Sequence, residues 1–201
     1  VSSARTLGGR PPSTTHEKIV AAALELFSRQ GFSRTTVDEI AAAAGVGRRT
    51  LFRYFPSKND IVISDLDAVV ERLRAALEDS DRELAMMEAL RQAMVLANSH
   101  DKQQLPALRI QTTLITRDPV LQAHALVRYA AWRRVVATFA AERTDCRPDD
   151  LMPQAIAYAA LGTAMAAFTR WVRTPGELLE RCLDDAFREL ANGFATDPGR
   201  A

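Results

Sequence analysis

At 201 residues, 47% of them apolar, the chain is long enough for one large domain or for a small module joined to a larger one, so size leaves both layouts open. Its cysteines, Cys146 and Cys182, stand outside any CxxC spacing, and His16, His100 and His124 are scattered without an i,i+4 or HExxH partner; this excludes a disulfide scaffold and a zinc site, and a reducing compartment is expected. The net charge is only +1, but residues 1 to 60 hold nine Lys or Arg against five Asp or Glu, while the remainder is net acidic, so any polyanion should be met by the front third.

The opening, VSSARTLGGRPPSTT, lacks the apolar run of a secretory signal, and no later stretch approaches about 20 uninterrupted apolar residues, from which a cytoplasmic protein without a membrane partner is expected. Residues 1–13, with paired glycines, paired prolines, Arg5 and Arg10, read as a flexible basic arm. Beyond it the 3.6-residue period recurs throughout, and no alternating β-branched run proposes a strand, so the fold class is all-α with about nine helices. Thr14 and Glu17 form a capping-box pattern that opens a helix over 15–30 with Ile19, Ala23, Leu26 and Phe27 inward and Gly31 as its left-handed stop. A second such pattern, Thr36 with Glu39, opens a short helix to Ala44, closed by Gly45; Gly47 precedes a third over 48–54. A long amphipathic helix is expected from Lys58 to Leu77, followed by helices over 83–97, 103–116, 119–143, 149–172 and 176–193. The expected domains are 14–57 and 58–201, after the arm.

Chemistry concentrates between positions 36 and 55, where the spacing is that of a helix-turn-helix. Val37, Ile40 and Ala41 face inward from its first helix, Val46 fills the turn, and Leu51 and Phe55 anchor the second helix. Arg48, Arg49, Thr50, Arg53 and Tyr54 are left pointing outward. Arginine grips guanine O6 and N7 with two donors and the threonine methyl packs on thymine, so the N-terminal end of this helix suits base edges. Thr36, Tyr54 and Lys58 flank that set and are expected at phosphates, Thr36 at a helix N-terminus whose free amides attract them.

Residues 16 to 60, HEKIVAAALELFSRQGFSRTTVDEIAAAAGVGRRTLFRYFPSKND, resemble the DNA-binding domain of the TetR family of transcriptional regulators. The resemblance implies a homodimer, an operator of double-stranded DNA, and a small-molecule effector in the helical body whose binding relieves repression; it implies no cofactor. Phe52 departs from the tyrosine frequent at its site in that family and lacks the phosphate-directed hydroxyl. The wording GVGRRTLFRYFPSKND also resembles regulators linked to mycofactocin gene clusters, which implies an acyl-CoA-like effector.

In the body, Ile156, Ala160, Thr163, Ala164, Ala167 and Phe168, joined by Leu179, Leu183 and Phe187 of the last helix, form apolar stripes expected to bury a dimer interface, although the same stripes suit intrachain core. Candidate effector contacts are the apolar Leu66, Val70, Met86, Leu90, Met94, Leu108, Leu114, Tyr129 and Trp132, with Arg109, Gln111, His124 and Arg128 as polar partners. An enzyme is disfavoured, because no P-loop, GxSxG elbow or GxGxxG after a strand occurs. The competing reading is a helical adaptor that binds proteins without touching DNA.

Overall fold

A computed structural model describes residues 15–194, so the arm expected at 1–13 and the cap expected from Thr14 lie outside the described residues. Within them the chain is entirely helical: α1 (Thr15–Gln30), α2 (Val37–Ala43), α3 (Arg48–Tyr54), α4 (Lys58–Val62), α5 (Leu66–Glu78), α6 (Met86–Ala97), α7 (Leu105–Arg117), α8 (Pro119–Thr144), α9 (Leu151–Arg173) and α10 (Leu179–Ala191). There is one helix more than expected, because the segment expected as a single helix from Lys58 breaks at 63–65. Ile61, Val62 and Ile63 are all buried. Three consecutive residues span about 200° of a helix surface, more than one buried face, and leaving helical geometry at Ile63 lets all three point inward.

One compact unit comprises the chain through Ser64 together with His100–Leu114; the other comprises Asp65–Ser99 and the chain from Ile115. In the first, α1 packs on α2 and α4, and α2 on α3. Ile19, Phe27, Ile40, Leu51, Phe55 and Ile61 are among its large buried residues. Gly31, at φ +88, stops α1 as expected, and Thr35 is buried with its hydroxyl donating to the Gly31 carbonyl at 2.8 Å.

In the second unit α5, α6, α10, α9 and α8 form a closed ring of neighbours, each packed on the next. Polar clasps fix the ring. The Arg143 guanidinium of α8 donates to the carbonyls of Asp81, Leu84 and Arg82 at 2.8, 2.9 and 3.0 Å and to Ser80 Oγ at 3.2 Å, which uses residues 80–84 as a turn and delays α6 to Met86. Arg72 Nε donates to Ala97 O at 2.9 Å, tying α5 to the end of α6. Arg91 of α6 pairs with Glu88 at 2.5 Å and with Asp184 of α10, which also accepts from Arg188 at 2.8 Å. Hydrogen bonds from Arg91 and then Gln92 hold the Glu88 carboxyl down at about 2. Asp118 caps α8 ahead of Pro119, whereas Gly176, at φ +84, keeps residues 174–178 a turn and starts α10 only at Leu179.

Among the described helices α9 alone is long and apolar enough, by length and composition, to cross a membrane. That apolarity has a core function on one side, where Ala157, Ala160, Ala164, Ala167 and Trp171 are buried between α8 and α10.

Candidate nucleic-acid interface

The turn between α2 and α3 is built by local chemistry. Thr36 accepts at its hydroxyl from the Glu39 amide, and the Glu39 carboxylate accepts from the Thr36 amide at 2.7 Å, closing the expected capping box; these bonds also hold the Glu39 carboxyl below its ordinary range. At the other end Gly45 takes φ +67, and the amides of Gly45 and Val46 donate back to Ala42 and Ala41 at 3.1 and 2.9 Å. Ile40, Leu51 and Phe55 seal the inner side.

Only Leu51 of α3 is buried, so the helix turns nearly its whole polar circumference outward. Arg48, Arg49 and Arg53 are exposed and Thr50 is half-buried. Tyr54 is exposed as well, beneath the Arg53 guanidinium at 5.3 Å and edge-on to His16. Arg49 makes no intrachain hydrogen bond or ion pair among the described residues. Arg48 is paired with Asp38 of α2 and lies over the Phe52 ring at 5.4 Å. Phe52 is exposed, and Asp38, which carries the same i,i+10 relation to Arg48 on paper as many unrelated pairs, offered no signal at all.

The two flanking residues have intrachain duties. Thr36 is exposed but spends its hydroxyl and amide on the capping box. Lys58 is half-buried; its ammonium donates to the carbonyls of Phe32 and Thr35 at 2.7 and 2.9 Å and sits 4.2 Å from the Phe32 ring centre. The charge expected to meet a phosphate is directed first at the loop after α1.

The expected effector residues are divided between the two units. In the second, Val70, Leu90, Met94 and Trp132 are buried, Leu66, Met86, His124 and Tyr129 half-buried, and Arg128 is exposed with Asp67 at 3.4 Å. Burial raises the Tyr129 phenol above its ordinary pKa. In the first unit, Leu108, Arg109 and Leu114 are half-buried, and buried Gln111 donates to Ser64 Oγ at 3.3 Å.

Ala160, Thr163, Ala164, Ala167, Leu179, Leu183 and Phe187 are all buried within a single protomer, and only Ile156 and Phe168 are half-buried, because α9 and α10 close on each other and on their neighbours. The outward face of α9 carries instead Leu151, Met152, Ala155, Tyr158, Ala159, Gly162, Met165 and Ala166.

Comparison with known proteins agrees with this geometry. Residues 19–64 match the family described as bacterial regulatory proteins, tetR family, and residues 84–195 match the MftR C-terminal domain. The chain is 38% identical over 186 residues to the mycofactocin biosynthesis transcriptional regulator MftR of Mycobacterium tuberculosis, an alignment covering 92% of this chain and 94% of that one. Among solved structures, the fatty acid degradation regulator FadR of Bacillus halodurans superposes with a TM-score of 0.65 at 22% identity, over 89% of this chain and 98% of that one. FadR of Thermus thermophilus, solved in complex with lauroyl-CoA, gives a TM-score of 0.57 at 25% identity over 92% and 98%. The chain belongs to the TetR family of bacterial transcriptional regulators, with a C-terminal domain of the MftR type.

Proposed function

We propose that the protein is a dimeric repressor that reads an operator with Arg48, Arg49, Thr50 and Arg53 of α3 and releases it on binding an amphipathic acyl thioester. The observation that carries the reading is the outward face of α3, three exposed arginines on a helix anchored by one buried leucine and set on a capped turn. Its N-terminal side chains have the reach and the donors for the edges of guanine, while Tyr54 and the amides at the start of α2 approach phosphates. Thr36 and Lys58 act there chiefly by holding α2 and the preceding loop in place.

Two such heads must be spaced to meet successive major grooves, which requires a dimer. The exposed α9 face supports one: Leu151, Ala155, Tyr158, Gly162 and Met165 alternate steps of four and three residues, the spacing of a helix seam, and the small residues permit close approach. Acyl-CoA chemistry is supported by the lauroyl-CoA complex of the related FadR, and the name of MftR points to a mycofactocin biosynthesis promoter as the operator's place. Within the second unit Leu66, Val70, Met86, Leu90, Met94, Tyr129 and Trp132 supply apolar surface for the acyl chain, and His124 and Arg128 supply polar partners for the thioester and phosphates. The setting is the bacterial cytoplasm and no chemistry is catalysed.

A band-shift experiment with duplexes covering the DNA upstream of mycofactocin genes, repeated from 50 to 200 mM salt, tests the reading. Specific, salt-weakened binding that lauroyl-CoA abolishes and free CoA does not is the expected result. Absence of duplex binding at low salt overturns it.

A further inference from the structure

We propose that Asp38 is a positioning residue that orients Arg48 for base reading and thereby sets the sequence preference at one base pair. The inference rests on the reading of α3 as the DNA-contacting helix. Asp38 lies in the first turn of α2 and Arg48 is the first residue of α3, so the pair spans the two helices of the motif. Arg48 Nη1 lies 2.9 Å from both carboxylate oxygens of Asp38. The guanidinium carbon lies 5.4 Å from the centre of the Phe52 ring, one helical turn further along α3.

A guanidinium carries five N–H donors in a rigid plane. Asp38 takes those of Nη1 and Phe52 takes a face, while the edge formed by Nε and Nη2 makes no intrachain hydrogen bond among the described residues. That edge has the two-donor spacing that matches O6 and N7 of guanine. A free arginine explores many rotamers and meets phosphates as readily as bases; one held at its far nitrogen and stacked on a ring presents a single edge. Both partners are exposed, at 62% and 66% for the side chains, so the ion pair adds little to folding and its consequence lies in where Arg48 points.

The test uses the full chain and two probes: the duplex most enriched from a random pool by the unaltered protein, and a scrambled duplex of equal composition. Dissociation constants are measured for Asp38→Ala, Asp38→Asn, Arg48→Ala, Arg49→Ala and the Asp38→Ala/Arg48→Ala double variant, with thermal unfolding as the control for folding. Asp38→Ala is expected to weaken the selected duplex about tenfold while leaving the scrambled one unchanged or tighter, and to have no further effect once Arg48 is gone. Asp38→Asn, which keeps the shape and one acceptor, is expected to fall between. Equal changes on both duplexes, or single effects that multiply in the double variant, overturn the proposal while leaving α3 as the reading helix. If Arg48→Ala and Arg49→Ala alter binding to neither duplex, the DNA-reading role of α3 falls first and Asp38 with it.

Discussion

Helices α3 and α9 place opposite demands on their residues. The former has seven residues, of which one is buried, and its function lies in what it leaves in solvent. The latter has 23 residues that are apolar or small on nearly every side, and its function depends on which side meets its own chain. A charged side chain cannot be buried cheaply, so arginines at 48, 49 and 53 determine the outward face of α3 by themselves. Alanine, leucine and threonine are tolerated in core and in interfaces alike, so α9 has no such internal compass.

Substitutions can sharpen or break this contrast. The largest effect is expected from Phe187→Ala, which empties a site with no solvent exposure and should cost about 3–5 kcal/mol of stability. Because the site lies inside the protomer, the loss should appear in urea unfolding independently of protein concentration; a loss that grows on dilution would return Phe187 to the dimer interface. Arg49→Ala should do the reverse, leaving unfolding within about 0.5 kcal/mol of the parent while costing about 1–3 kcal/mol of discrimination at one base pair in competition binding. Lys58→Ala occupies the middle ground. Loss of a charged donor to Phe32 and Thr35 should destabilise the N-terminal unit by about 1–3 kcal/mol, seen as lowered amide-exchange protection at α1 and α2, and weaken all duplexes through that route. A Lys58→Ala protein with unchanged protection but weaker binding would make the residue a direct phosphate contact.

The smallest effect concerns acid. The Glu88 carboxyl is lowered from 4.5 to about 2 by Arg91 and Gln92, so its contribution to stability is fully present above the unfolded value and is lost as pH falls through the folded one. Melting temperatures measured from pH 5 to pH 2 should fall more steeply for the parent than for Glu88→Gln; parallel curves would remove the pairing of Glu88 with Arg91 within α6 from the account.

The reading motif was legible because it is local. Thr36 with Glu39, Gly45, and the Leu51–Phe55 pair each act within a few residues, and short-range hydrogen bonds and backbone preferences reproduce them in any context. The break between α4 and α5 was less so. Its cause, three adjacent buried residues, is a property of what surrounds them, and the apolar period alone continues through it. Phe52 and Asp38 failed for a related reason, since neither residue type announces whether it holds an arginine ten or four positions away.

The amino-acid order alone thus determined an all-helical chain, the capped turn before α3 and the outward arginines, because helical periodicity, positive φ at glycine and the hydration of charge act at short range. Tertiary packing alone decided that Leu183, Phe187 and the Ala160–Ala167 stripe are core, that Lys58 clasps its own backbone and that Arg48 rests between Asp38 and Phe52. Apolar surface and hydrogen-bond donors accept whichever partner folding brings near, and only the assembled chain selects one.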